Sequence, residues 1–155
     1  MTAVKSLLLV IDVATRKRDQ AGKNLALAQQ TCRAAQDQLA QLESYADDTD
    51  IRWTAAAQIG ATPELMRHHY QFMDRLHHAI GLQSDVIGGL NRQVEEVRKL
   101  LLEAEFRLGS LQQVLKKKQA GLAALQARRE QKQMDEFAAF QYRKTAARYH
   151  SGELI

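Results

Sequence analysis

The sequence has little of the material from which strands, tight turns and thick hydrophobic cores are built. Its 155 residues include one proline, eight glycines and one cysteine, and aromatic residues make up 6% of the chain. A chain with so few turn-forming and bulky residues is typical of long helices, and one cysteine excludes an internal disulfide framework. The composition therefore predicts an all-α protein.

Long hydrophobic runs are scarce as well. The first one covers only Leu7 to Ile11 and ends at Asp12, whereas a membrane-spanning helix needs about 20 apolar residues and a signal peptide needs a run of about 7 to 15. We therefore expect a cytoplasmic protein. Cys32 fits that compartment, and we interpret it as a small core residue rather than a reactive thiol.

Catalytic and metal-binding motifs are also missing from the sequence. There is no phosphate-binding glycine loop and no nucleophile with a base at helical spacing. The pairs His68-His69 and His77-His78 are eight to ten residues apart, which is not metal-ligand spacing on a helix, so we interpret them as surface histidines. The acidic stretch 47–50 lacks the glycine and glutamate of a calcium loop. We predict a non-enzyme with no cofactor and no metal.

What the chain has in abundance is a heptad repeat. Residues at alternating steps of four and three are almost all apolar in two long stretches, which is the pattern of a left-handed coiled coil. The first stretch has one charged member and comprises Leu7, Ile11, Ala14, Arg18, Ala21, Leu25, Ala28, Cys32, Ala35, Leu39, Leu42 and Ala46. The second has two polar members and comprises Met73, Leu76, Ile80, Gln83, Ile87, Leu90, Val94, Val97, Leu101, Ala104, Leu108, Leu111, Leu115, Lys118, Leu122 and Leu125.

A turn separates the two stretches. Gly60 is suited to end a helix, Thr62 to cap the next one, and Pro63 to occupy its first position. We predict one coiled-coil domain over 1–155, with helix 1 at about 4–58, the turn at about 59–62 and helix 2 at about 63–148. The fold class is a long antiparallel two-helix coiled-coil hairpin, in which facing residues have numbers that sum to roughly 122.

Helix 2 is predicted to extend beyond the start of helix 1 by roughly 30 residues, or about 45 Å. Within the paired part, Gly88 and Gly89 stand side by side. They indicate a local bend, a close backbone approach to the stretch around Arg33 and Ala34, or only a tolerated weak point in a long coiled coil.

Large side chains are concentrated near the turn, at Tyr45, Ile51, Trp53, Tyr70 and Phe72. One interpretation is that they cover the last layer of the coiled coil. The other is a docking surface along one helical stripe and the facing helix. The residues of that surface are Leu42, Tyr45, Phe72, Leu76 and Ala79.

Charge is distributed unevenly. Residues 116–155 hold nine Lys and Arg against four Asp and Glu, whereas residues 1–115 hold thirteen against fourteen. Among nucleic acid, membrane and protein partners, this tail favours protein, because Met134, Phe137 and Phe140 offer apolar anchors among charges of both signs. We expect no nucleic-acid binding and no direct membrane insertion.

Three stretches resemble the FliJ family of the bacterial flagellar type III export apparatus. Residues 129–138, read as Arg-Glu-Gln-Lys-Gln-Met-Asp-Glu-Phe-Ala, are similar to its C-terminal signature, and residues 8–14 resemble its opening helix. Residues 70–80 resemble the segment after its turn, and the likeness spans roughly residues 5–140 in a chain patterned as a coiled coil.

The resemblance implies a non-catalytic stalk that binds the export ATPase ring and promotes its assembly and activity. It further implies links to the cytoplasmic domain of the export gate and to substrate chaperones, with peripheral association at the membrane of the flagellar base. The ATPase-binding positions that it implies are Arg128, Arg129, Gln131, Lys132, Asp135 and Glu136. The export-gate positions that it implies are Leu42, Tyr45, Phe72, Leu76 and Ala79.

Two alternatives stay open from sequence alone. One is the equivalent stalk protein of a virulence injectisome, which shares the coiled-coil form. The other is a homo-oligomeric scaffold, in which Leu122 and Leu125 pair with copies of themselves beyond the end of helix 1.

Overall fold

The computed structural model describes residues 2–153, and within that range it consists of two long helices and no strand. Helix α1 spans Thr2–Ile59 and helix α2 spans Pro63–Glu153, with 58 and 91 residues respectively. The predicted all-α helical hairpin is confirmed. Tertiary contacts divide the chain into two compact units, residues 14–107 and residues 1–13 with 108–155. A single domain over the whole chain stays a prediction.

The turn between the helices is set by three residues. Gly60 has a φ of 118° and its N–H donates to the carbonyl of Ala57 at 3.3 Å, which ends α1 in a conformation that suits glycine. The hydroxyl of Thr62 accepts the N–H of Leu65 at 3.3 Å and so caps α2. Pro63 is the first residue of α2, where its missing N–H costs nothing. These are the roles that the sequence predicts.

The core of the unit formed by residues 14–107 is the predicted heptad seam. Its buried members are Ala14, Cys32, Ala35, Ala46, Leu76, Val94 and Val97. Small residues on α1 face larger aliphatic residues on α2, so the two helices pack closely along the seam. The expectation that Cys32 is a core residue is confirmed.

Polar contacts across this seam show the antiparallel register. The Cys32 thiol donates to the side-chain oxygen of Asn91 at 3.1 Å. The Gln83 amide donates both to the carbonyl of Ala35 at 3.0 Å and to the side-chain oxygen of Gln38 at 3.2 Å. The numbers of these partners sum to values close to the expected roughly 122, which places the register where the heptad predicts it.

The glycine pair in α2 makes no close approach to α1. A Cβ atom added at Gly88 would lie 3.9 Å from the Arg92 side chain, and one added at Gly89 would lie 3.8 Å from it. No atom of α1 lies within 4 Å of either position. The alternative of close backbone contact near Arg33 is therefore wrong, because both glycines face the open flank of α2 beside its own arginine.

The second unit combines the start of α1 with the C-terminal part of α2. Leu108 is buried here, and Leu111 and Leu115 are half-buried together with Leu7 and Ile11. From Lys116 to Gly152 every residue is exposed. The heptad continues into this stretch as far as Leu125, and there the described residues of α1 leave its leucines half-exposed.

Three positions that the heptad assigns to the seam are consequently not core. Lys118 is exposed, and Leu122 and Leu125 are each 50% exposed. The helix itself is unbroken, because α2 reaches Glu153. Among the described residues, no helix is long and apolar enough to cross a lipid bilayer.

Candidate functional site

The charged face is a set of exposed side chains on the uncovered part of α2. Its members are Arg128, Arg129, Gln131, Lys132, Asp135 and Glu136. Arg129, Lys132 and Glu136 are spaced by three and four residues, so they lie on one line that continues the seam after Leu125. Arg128 lies on one flank of this line. All the side chains of the charged face are exposed.

The cations of the charged face have no internal partner. Within residues 2–153, Arg128, Arg129 and Lys132 make no salt bridge. The hydrogen bonds that do form here join neutral amides to carboxylates, since Gln131 donates to Asp135 at 3.1 Å and Gln126 donates to Glu130 at 3.3 Å. The three positive charges are therefore directed to solvent and available to an acidic partner.

Large apolar groups on the same stretch are exposed too. Met134, Phe137 and Phe140 are all largely solvent-accessible. Met134 and Phe137 lie three residues apart on a different side of α2 from Arg129 and Lys132. Phe140 follows Arg129 by eleven residues, which is about three turns, so it lies on the side of the cations. Charged and apolar groups together give a socket around this stretch two kinds of contact.

An aromatic pair bridges the hairpin within the unit 14–107. The rings of Tyr45 on α1 and Phe72 on α2 meet edge to face with centroids 6.2 Å apart. Tyr45 is 53% exposed and Phe72 is 38% exposed, whereas Leu76 is buried at 8%. Of the five gate positions implied by the resemblance, these two rings thus form the outer surface. Leu42 is half-buried on the seam, and Ala79 is half-buried beside it.

His69 is not a surface histidine, and that prediction was wrong. Its side chain is only 8% exposed, its ring stacks on Trp53 with centroids 4.3 Å apart and planes 9° apart, and its Nε2 lies 4.0 Å from an Asp50 oxygen. The sequence held a signal for this contact, because 53 and 69 sum to the roughly 122 expected of facing residues. The stack fastens the two helices near the turn, while Ile51 and Tyr70 are exposed.

Neither helix offers an evident metal site. Among the described residues, no group of three or more His, Cys, Asp or Glu side chains is placed to hold a metal ion. The acidic stretch Asp47-Asp48-Thr49-Asp50 lies within α1 rather than in a loop, so its carboxylates point in different directions around the helix.

The two leucines that the sequence offered for self-association, Leu122 and Leu125, lie in a groove that the sequence did not predict, and we call it the seam groove. It is an open groove at the start of α1. Its lining residues are Val4, Lys5, Gln119, Leu122, Leu125, Gln126 and Arg129. The signal lay in the heptad, which continues to Leu125, where the described residues of α1 leave the seam leucines half-exposed.

Comparison with known proteins supplies one match. The model of a family described as "Flagellar FliJ protein" matches residues 4–147, which include the charged face, the aromatic pair and the seam groove. No curated protein and no solved structure matches the chain. The family match covers nearly the whole of both helices, so it concerns the hairpin and not one local motif.

Proposed function

The chain belongs to the FliJ family, and from that membership we propose that it is a non-catalytic stalk that binds the flagellar export ATPase. Membership implies a component of the flagellar export apparatus. The proposed role is to stabilise the ATPase ring and to raise its activity through the charged face. The site of action is the flagellar base, on the cytoplasmic side of the membrane.

The observation that carries this proposal is the uncovered heptad. Arg128, Arg129 and Lys132 are exposed and make no salt bridge among the described residues, on a part of α2 that α1 leaves exposed. A projecting helix with three unpaired cations and exposed apolar groups is suited to entering the central opening of an oligomer. Acidic groups lining that opening would pair with the cations, while Phe137 and Phe140 would contact its apolar walls.

Ring stabilisation follows from mass action. A stalk that contacts several subunits of an assembled ring binds the ring in preference to free subunits, and it shifts the assembly equilibrium accordingly. The contact involves exposed charges, so it weakens as ionic strength rises. No chemistry by the stalk itself is needed for the ATPase to gain activity.

The proposal includes a second contact, to the cytoplasmic domain of the export gate. The exposed rings of Tyr45 and Phe72 support it, because aromatic pairs are frequent anchors of protein interfaces. Leu42, Leu76 and Ala79 lie at or beside the seam, and their proposed role is to support the two rings. Binding of substrate chaperones is also part of the proposed role, without assigned residues.

The decisive experiment is ATP hydrolysis by the purified export ATPase at a concentration where its ring is partly assembled. We expect the full chain to stimulate hydrolysis and the double variant Arg129→Glu with Lys132→Glu to lose most of that stimulation. The matched control is Lys116→Glu with Lys117→Glu. It makes the same change of charge on α2 at exposed positions outside the charged face.

Both variants should retain the helicity of the parent, because surface substitutions of this kind change the unfolding free energy by about 0.5 kcal/mol or less. Equal stimulation by the parent and the Arg129→Glu, Lys132→Glu variant would show that the charged face does not mediate the stimulation. Equal losses in both double variants would show that total charge matters rather than these two positions.

A further inference from the structure

The seam groove is a continuation of the internal helix interface. Leu108, Leu111 and Leu115 on α2 are buried or half-buried in the unit that contains the start of α1. Leu122 and Leu125 follow them at heptad spacing, yet each is 50% exposed. The space over these two leucines is where further turns of a helix lying along the path of α1 would pack.

The residues around the two leucines restrict what can occupy that space. The lining contains Lys5 and Arg129 together with two glutamines, Gln119 and Gln126, and it contains no carboxylate. Farther along the same line lies Lys132, with Arg128 on the flank, and neither has an ionic partner among residues 2–153. An occupant therefore needs apolar groups for Leu122 and Leu125 and negative charges for the surrounding cations.

A second copy of the same surface, placed parallel and in register, does not meet this requirement. Two seam grooves placed face to face in register would bring Arg129 and Lys132 against their own counterparts, which is unfavourable for exposed like charges at an interface core. Neutral apolar helices would cover the leucines but leave the cations without partners. An acidic amphipathic helix satisfies both groups at once.

We propose that the seam groove binds an acidic amphipathic helix of a partner protein, which lies along the path of α1 and antiparallel to α2. Its apolar residues cover Leu122 and Leu125, and its carboxylates pair with Arg128, Arg129 and Lys132. This inference rests on the proposed function, because it states the chemistry of the segment with which a partner such as the export ATPase engages the charged face. The binding mode is that of a helix placed in a groove.

The test uses a labelled synthetic peptide of about 21 residues, or three heptads, with leucine at the seam positions and glutamate at the flanking positions. Its binding to the full-length chain is followed by fluorescence anisotropy. A second peptide with lysine in place of every glutamate is the matched control. We expect the acidic peptide to bind at least about tenfold more tightly than the basic one, and the difference to shrink at high salt.

Variants of the chain locate the binding site. Leu122→Ser with Leu125→Ser should weaken binding of the acidic peptide by at least about tenfold, because the substitutions remove apolar surface that the bound peptide would cover. Leu100→Ser with Leu102→Ser is the control, since it makes the same change at two exposed leucines of α2 outside the groove. That control should leave binding within about twofold.

Three results would overturn the inference. One is no binding of the acidic peptide. Another is equal binding by the parent and the Leu122→Ser, Leu125→Ser variant. The last is a parent chain that is dimeric by light scattering and becomes monomeric in that variant, since a second copy would then fill the groove.

The ATPase assay separates this inference from the proposed function. If the acidic peptide binds through Leu122 and Leu125 but the chain fails to stimulate the export ATPase, helix binding in the seam groove is supported and the stalk role is contradicted. If the chain stimulates the ATPase and the peptide does not bind, the stalk role is supported and helix binding in the seam groove is contradicted.

Discussion

Residues 14–107 and residues 116–125 carry the same heptad in different surroundings. In the first region the seam residues of one helix are covered by the other, and Leu76 is 8% exposed. In the second, Leu122 and Leu125 occupy equivalent positions and are 50% exposed. The comparison shows that a heptad specifies which face of a helix is apolar, whereas burial of that face depends on whether a second helix is present.

The largest expected difference between the two regions is in the cost of removing a seam leucine. Leu76→Ala should lower the free energy of unfolding by about 2 kcal/mol, because it deletes buried methyl groups and leaves space between the helices. Leu125→Ala removes a side chain that no residue of α1 covers fully, and it should cost about 0.5 kcal/mol or less. Urea denaturation of both variants measures the difference.

Similar losses in the two alanine variants would break the comparison, since they would show that Leu125 is buried in solution. The same result would weaken the seam groove. The experiment also bears on the gate contact, because a Leu76 variant changes the packing near Tyr45 and Phe72 together with any direct contact to the gate. Variants of Tyr45 itself therefore test that contact more cleanly.

The sequence predicts the paired region in detail. Cys32, Ala35 and Leu76 are heptad positions, and all three are buried. It also predicts that Leu122 and Leu125 lie beyond the end of helix 1, and each of them is 50% exposed. It fails at His69. The ring of His69 is covered by Trp53 on the other helix. A histidine considered without its spatial neighbours is predicted to be on the surface, which is why the sequence interpretation was wrong.

The charged face lies between these cases. Its placement on an uncovered helix follows from the heptad and from the length of helix 2. The absence of salt bridges at Arg129 and Lys132 among the described residues depends on side-chain geometry, since Glu136 is at suitable helical spacing from Lys132 for a weak pair. Helical spacing alone allows an ion pair between Lys132 and Glu136, and among the described residues that pair does not form.

A smaller expected effect concerns glycines in the two regions. Gly88→Ala and Gly89→Ala should each raise the free energy of unfolding by up to about 1 kcal/mol, because alanine is the better helix former and the added Cβ contacts only the Arg92 side chain. Gly121→Ala lies in the uncovered stretch, where nothing is within 4 Å of the added Cβ. It should raise helicity with little effect on the main unfolding transition.

Thermal unfolding followed by circular dichroism distinguishes these glycine variants. A loss of stability in Gly88→Ala or Gly89→Ala would mean that the glycines bend α2 or approach another backbone in solution. If Gly121→Ala stabilised the main transition as strongly as the other two, residues 116–152 would have to be coupled to the paired region.

Hydrogen exchange on the full chain, alone and with the purified export ATPase, tests the central claim most directly. That claim is that the uncovered part of the heptad is the segment that binds. Alone, amides in 14–107 should be strongly protected and those in 116–152 weakly protected, because a single helix without tertiary packing opens readily. With the ATPase, new protection should be concentrated between Leu122 and Glu136. New protection confined to 14–107, with 116–152 unchanged, would contradict the account.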